Sequence, residues 1–292
     1  MKKNIILLFE NFNEELITPE FLESGIKTIG LHYNPYKNSA TEYFDFIEKN
    51  QEFIIFLESK EVIIEYYFHA VSVLLNRELF KKKPHFFRVD QNGQRNPDFN
   101  CCPSNKRALK IIEHNAYKLA KKLGQKSHRY HLWLDDDLGN DISCQCENCR
   151  KLTLQKQNLL LLTAILKGVK KYDKMATISY LIYGNEELKE GLSPDFFIEF
   201  APFKRRHDVA LNHHENEAWI KKLELLKKIS NFEVIEYFLS YNLKDYLDCS
   251  VRVDNDLETY HKLGIKNIAT FVVNNGLSIG DIRKAIMKFV ED

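Results

Sequence analysis

The chain has 292 residues, 44% of them hydrophobic, and a formal net charge of +1. One barrel of the (β/α)8 type uses about 250 residues, so a single domain over 1–292 is the expected organisation. The near-balance of charge argues against a dedicated nucleic-acid binder, which carries a basic face or stripe, and no run approaches the ~18 apolar residues of a membrane span.

Short β-branched or aromatic runs alternate with longer stretches of helical spacing, the pattern of βαβ units around a parallel sheet. The first run, 4–12, follows Met1-Lys2-Lys3 and its apolar part stops at Glu10. That is shorter than the ~7–15 residues of a secretory core, so a cytoplasmic protein is expected. The next runs are 26–33, after a helix stopped by Gly25, and 62–70. An irregular insertion spans 76–102, with Asp90-Gln91-Asn92-Gly93 as a hairpin turn. A long loop after a barrel strand lies on the working face, which makes this insertion a functional candidate. A helix is predicted to start after Ser104 and run to Leu123, closed by Gly124, then a strand over 130–136 and a leucine-rich helix over 153–171. Strands over 175–183, 196–203, 232–239 and 265–273 follow, with helices over 215–229 and 255–263 between them, the latter closed by Gly264. Eight strands, each followed by helical or loop sequence, predict one closed (β/α)8 TIM barrel with a long insertion after the third strand. An open doubly wound sheet is the alternative, but no glycine-rich phosphate loop follows any strand.

Catalytic groups of such barrels come from the C-terminal ends of strands. Those ends carry Glu10, His32, His69, Asp135-Asp136-Asp137, Tyr183, Arg205, Arg206, Glu236, Tyr237 and Asn274. Strand alternation turns Glu65, Tyr67 and His69 inward in the third strand. In the fourth it turns His131, Trp133, Asp135 and Asp137 inward. Glu236 shares a parity with Val234 and Phe238, which leaves its direction open. Three adjacent aspartates cannot all ionise freely, so at least one should hold a proton near neutral pH, as a general acid requires. Glu236 is the candidate second carboxylate, since paired carboxylates serve glycoside hydrolysis.

Three of the six cysteines fall in Cys144-x-Cys146-x-x-Cys149. In a reducing compartment such clustering suggests a metal more than disulfides. Cys101 or Cys102, from the preceding loop, is the natural fourth ligand of a structural zinc site; no organic cofactor is implied. Cys249 reads as an ordinary small hydrophobe. His213-His214 beside Glu215 reads as a solvated helix start.

Several segments, in order, resemble a bacterial family of glycoside-hydrolase-like TIM barrels catalogued as a domain of unknown function. They are Phe68-His69-Ala70, Lys83-Pro84-His85-Phe86-Phe87, Cys102-Pro103-Ser104-Asn105, Asp137 with the cysteine loop, Ala201-Pro202 with Arg205 or Arg206, Trp219, and Glu236-Tyr237. The family is similar in layout to α-glucuronidases and β-N-acetylhexosaminidases, which use carboxylates ending the fourth strand. Phe68 stands where the family has glycine, and the triple aspartate resembles the paired aspartates of substrate-assisted hexosaminidases. The resemblance implies a carbohydrate-active enzyme. Asp137 would be the general acid, Asp135 or Asp136 would tune it or orient an N-acetyl group, and Glu236 would be its partner. His69, His32, Tyr183, Arg205, Arg206 and Tyr237 would bind sugar. A non-catalytic carbohydrate-binding barrel and a metal-dependent barrel enzyme, with the aspartates and His69 as ligands, are the alternatives.

Overall fold

The computed structural model describes the chain apart from residues 34–38, 98–99, 137–141, 185–187, 189–190, 229–231, 240–249, 273–277 and 292, and the side chains of 250, 251 and 291. Its strands are β1 (Lys2–Leu8), β2 (Thr28–Tyr33), β3 (Ile63–His69), β4 (Arg129–Trp133), β5 (Thr177–Ile182), β6 (Phe196–Phe200), β7 (Phe232–Leu239) and β8 (Asn267–Val272). They pair in chain order, and β8 returns to β1 in parallel, closing the expected barrel. The helices are α1 (Pro19–Glu23), α2 (Ala40–Lys49), α3 (Gln51–Ser59), α4 (Val71–Leu74), α5 (Lys106–Leu123), α6 (Leu154–Val169), α7 (Glu217–Leu226), α8 (Ser250–Lys262) and α9 (Ile279–Glu291). None among the described residues is long and apolar enough to cross a membrane.

The strands form where the sequence is apolar on both faces, as a parallel sheet covered by helices requires; every residue of β2 and β6 is buried. Helices α1, α2, α5 and α6 start at side-chain caps. Ser39 and Glu42 form a reciprocal capping box on α2. On α5 the cap is Asn105 rather than the expected Ser104, because the Asn105 carboxamide accepts from the amides of Arg107 and Ala108. Gly124 ends α5 at φ +57°, a left-handed turn that costs glycine little.

Three strands end three or more residues earlier than the sequence predicts, β6 among them, at Phe200 rather than Phe203. β1 stops at Leu8 and turns through a 3-10 segment, Phe9–Asn11. There the rings of Phe9 and Phe12 pack on Phe46, and Phe9 also on Tyr43, both of α2. β4 stops at Trp133, and side-chain hydrogen bonds take over from the ladder beyond it. The 76–102 insertion contains two 3-10 turns, Arg77–Lys81 and Pro84–Phe86. It also contains the expected hairpin, with Val89 bridged to Arg95 around Gly93 at φ +79°.

The barrel divides into two compact units. One comprises Met1–Glu65, Leu181–Asn185 and Phe197–Asp292. Within it Lys3 reaches outward over the Phe289 ring of α9, while Asn4, of opposite parity, donates to buried Glu233 at 3.1 Å. The other comprises Tyr66–Tyr180 and Glu186–Phe196. In it α5 and α6 approach so closely at Gly168 that a β-carbon there would collide with the Glu113 carbonyl.

Candidate active site and thiol cluster

In the second unit the inward residues of β3 and β4 form a column of rings. Tyr67 stacks on His131 at 3.8 Å, and Trp133 meets both Tyr67 and His69 edge-on at 5.3 Å. His69 Nδ1 lies 3.0 Å from the Leu134 carbonyl, which can only accept, so Nδ1 carries the hydrogen. Nε2 then faces Asp136 Oδ2 at 3.4 Å.

Asp135 is buried one residue earlier. Its carboxylate accepts from the Ser72 amide at 2.5 Å and the Ser72 hydroxyl at 3.2 Å. Its backbone is gripped from both sides by Asn100. The Asn100 carboxamide donates to the Asp135 carbonyl at 2.8 Å and accepts from the Asp135 amide at 3.1 Å. Burial pushes the Asp135 carboxyl up to about 6, against the pull of His69 and Arg77. The upward direction is the one expected for an aspartate here, but its first cause is burial rather than crowding by like charges. Asp137, Asn274 and Cys249 lie outside the described residues.

Beside this site the thiols converge. Cys102, Cys144, Cys146 and Cys149 bring their sulfurs within 4.8 Å of one another and can hold a metal ion. Cys102, rather than Cys101, is the fourth member. Cys101 pairs with Phe87 across an antiparallel bridge, and successive residues of an extended segment face opposite ways. The Cys102 Sγ atom lies 3.7 Å from that of Cys146 and 3.8 Å from that of Cys149, and none of these cysteines forms a disulfide. Neutral groups surround the sulfurs. The Ser104 hydroxyl lies 3.2 Å from Cys102 and from Cys149, and the Val89 amide donates to Cys144 at 3.4 Å. Gln157 of α6 holds the loop, accepting from the Cys144 amide and donating to the Cys149 carbonyl. Hydrogen bonds from its neighbours hold the Cys102 thiol far below its ordinary value, whereas burial drives Cys101 well above it.

In the first unit the predicted residues separate into two groups. His32, Tyr237 and Phe271 meet, with Tyr237 stacked on Phe271 at 5.6 Å and His32 edge-on to Phe271 at 5.2 Å. Phe203 bridges Tyr237 and Tyr183, at 5.3 and 6.5 Å. These rings sit at the C-terminal ends of β2, β5, β7 and β8. Arg205 and Glu236 are elsewhere. Glu236 faces α8 and is wholly buried; it accepts from Arg205 Nε at 2.9 Å and from the Tyr260 hydroxyl at 2.5 Å. Its other oxygen accepts from the Tyr237 amide at 3.1 Å. Arg205 also donates to Asp256 at 2.7 Å, and burial raises the Asp256 carboxyl to about 6. Arg206 is exposed and paired with Asp208 and Glu215. His213 caps the turn at Glu215 by accepting its amide, as a helix start does. Sequence reasoning missed Ser72, Asn100, Asp256 and Tyr260. The first two lie 63 and 35 residues from Asp135, and no local motif marks such partners.

A family model described as "Domain of unknown function (DUF4838)" matches residues 22–283. The chain belongs to that family. No curated protein matches the sequence. Among solved structures, the β-N-acetylhexosaminidase of Bacteroides fragilis NCTC 9343 superposes over 99% of the chain with a TM-score of 0.59 at 12% identity. The chain spans 65% of that enzyme's length. Dispersin B gives the same score and identity, with 100% of this chain and 98% of that one covered. A GH20 catalytic module of the pneumococcal exo-β-D-N-acetylglucosaminidase covers 99% of this chain and 82% of its own, with a TM-score of 0.52 at 11% identity. These likenesses establish the (β/α)8 barrel fold.

Proposed function

We propose that the chain is a glycoside hydrolase acting on N-acetylated amino sugars, with the aspartates ending β4 as its working carboxylates. The observation that carries the reading is the grouping of carboxylates there: the His69–Asp136 contact at 3.4 Å beside a buried Asp135 whose carboxyl is raised to about 6. Asp137 donates the proton to the leaving oxygen, Asp136 with His69 faces the sugar, and Asp135 is the fixed element behind them. Both oxygens of Glu236 are engaged by Arg205, Tyr260 and the Tyr237 amide, so it is not the second carboxylate. That leaves the substrate's own acetamido oxygen as nucleophile, the route taken by substrate-assisted families. It attacks the anomeric carbon as the leaving oxygen takes the Asp137 proton, and water later opens the cyclic intermediate. The names of the hexosaminidase neighbours support this substrate class. The rings of His32, Tyr183, Tyr237 and Phe271 offer faces for sugar stacking, while Arg205 and Arg206, engaged in ion pairs, do not serve binding.

The thiol cluster is a closed structural zinc site. Tetrahedral zinc with bonds of about 2.3 Å puts its sulfurs roughly 3.8 Å apart, which agrees with the Cys102 spacings of 3.7 and 3.8 Å. The test is hydrolysis of a panel of aryl glycosides, with metal quantification. Aryl N-acetyl-hexosaminides should be cleaved, and Asp137→Asn should lower the rate by ~10²–10⁴. Wild-type rates from Asp137→Asn would end its role as acid. Binding of N-acetylated sugars without any cleavage favours a carbohydrate-binding barrel, a reading the engaged Glu236 also fits.

A further inference from the structure

Asn100 sits two residues before a member of the thiol cluster and makes two hydrogen bonds to the backbone of Asp135, at 2.8 and 3.1 Å. The segment between is fixed at both neighbouring positions. Cys101 is bridged to Phe87, and the Cys102 amide donates to the Phe86 carbonyl at 2.9 Å. The hairpin beyond is stitched to the cysteine loop as well, because the Gln145 amide donates to the Val89 carbonyl at 2.8 Å and the Val89 amide donates to the Cys144 sulfur. The four sulfurs therefore join the insertion that carries Asn100 to the loop that follows the aspartates. Without an ion, Cys102 is held there by thiol contacts of 3.7–3.8 Å and the Ser104 hydroxyl. With zinc it is held by a metal–thiolate bond.

We propose that Asn100 is a positioning residue for Asp135 and that metal bound to Cys102, Cys144, Cys146 and Cys149 anchors it, so that metal occupancy sets the geometry of the β4 carboxylates. A competing anchor is visible: Arg77 donates to the Asn100 carbonyl at 3.4 Å and lies over the Phe87 ring. That contact is longer and grips the backbone of the insertion rather than the cysteine loop. Asn100 reaches only backbone atoms of Asp135, so it acts through the placement of that residue. The proposal rests on the reading of the β4 aspartates as the working site.

The experiment is amide hydrogen exchange by NMR on the full chain, zinc-loaded and after removal of zinc by a chelator under reducing conditions. The amides of Asp135 and Ser72 report the placement directly, since one donates to Asn100 and the other to the Asp135 carboxylate. The Ala70 amide, which donates to the Trp133 carbonyl at 2.8 Å, is the internal control. Zinc removal should speed exchange at Asp135 and Ser72 on the order of tenfold, the effect of losing about two buried hydrogen bonds, and added zinc should restore it, with Ala70 unchanged. Asn100→Ala should give the same two-amide signature while retaining zinc. Cys144→Ser, which loses a ligand, should give it without a chelator. Equal protection with and without zinc, failure of the chain to bind zinc, or an unchanged pattern in Asn100→Ala each overturns the proposal. Aryl-glycoside hydrolysis run in parallel separates the two readings. Exchange coupling without any hydrolysis supports the anchor and ends the glycosidase reading. Hydrolysis with uncoupled exchange does the reverse.

Discussion

Two buried polar clusters stand out in this barrel, and they are electrically opposite. Around Arg205, each charge has a protein partner of the other sign: the guanidinium is shared by Glu236 and Asp256, and Tyr260 satisfies the remaining valence. Around Asp135, the hydrogen-bonding partners are neutral, although His69 and Arg77 act on its carboxyl through space. Ser72 and Asn100 supply hydrogen bonds without a charge, and the neighbouring thiols are bonded to one another, a serine and an amide. A cluster that closes on itself holds a fold together. One whose carboxylate is hydrogen-bonded by neutral groups, and whose four sulfurs converge, is arranged for something that arrives from outside.

The comparison predicts opposite responses to mutation. The largest belongs to Arg205→Ala, which strands Glu236 as a buried charge and should cost about 3–5 kcal/mol in urea unfolding. A loss under 1 kcal/mol would mean that the cluster is not closed. Next is Asp135→Asn. The Asp135 carboxyl is raised in the folded state, so the native protein binds the proton more tightly than the unfolded chain does. The contribution of Asp135 to stability should therefore be fully present below pH ~4 and be lost as pH rises through ~6, by about 3 kcal/mol for two pKa units. Asp135→Asn removes that decline, so it should melt higher than wild type at pH 7 and match it more closely at pH 4. Destabilisation at pH 7 would place Asp135 among the compensated charges. Glu236→Gln should cost about 1–3 kcal/mol through its weakened hydrogen bonds, yet leave the hydrolysis rate per folded molecule unchanged. A thousand-fold loss of rate would return Glu236 to the chemistry. Smallest is Arg206→Ala, whose exposed pairs with Asp208 and Glu215 should shift stability by under about 0.5 kcal/mol.

Much of this was legible from the chain. The eight strands announce themselves because a parallel barrel buries both faces of each, and the inward parity of Tyr67, His69, His131 and Trp133 follows from alternation alone. The thiol site was legible as spacing. The choice of Cys102 over Cys101 was not, since it depends on an antiparallel bridge to Phe87 within a segment that has no regular pattern. Glu236 shows the same limit more sharply. Its strand position was clear, but its direction depends on Asp256 and Tyr260 in a later helix and on Arg205 in an earlier loop. Nor does any local motif announce that Asn100 will meet Asp135, because that contact exists only after the insertion has folded back over β4.

The spacing of the thiols along the chain has a consequence for folding. Cys102 and Cys146 are 44 residues apart, and the intervening segment contains all of α5 and β4. An ion that joins them closes a long loop, a constraint comparable in the chain-entropy model to ~4 kcal/mol. Cys144, Cys146 and Cys149 lie close enough in sequence to meet an ion without tertiary structure, whereas Cys102 adds the closure of that long loop. All four precede β5, so the cage restrains only the first half of the barrel's strands. Metal supply would then act on that half, by limiting the freedom of α5 and β4 in the chain that has yet to fold.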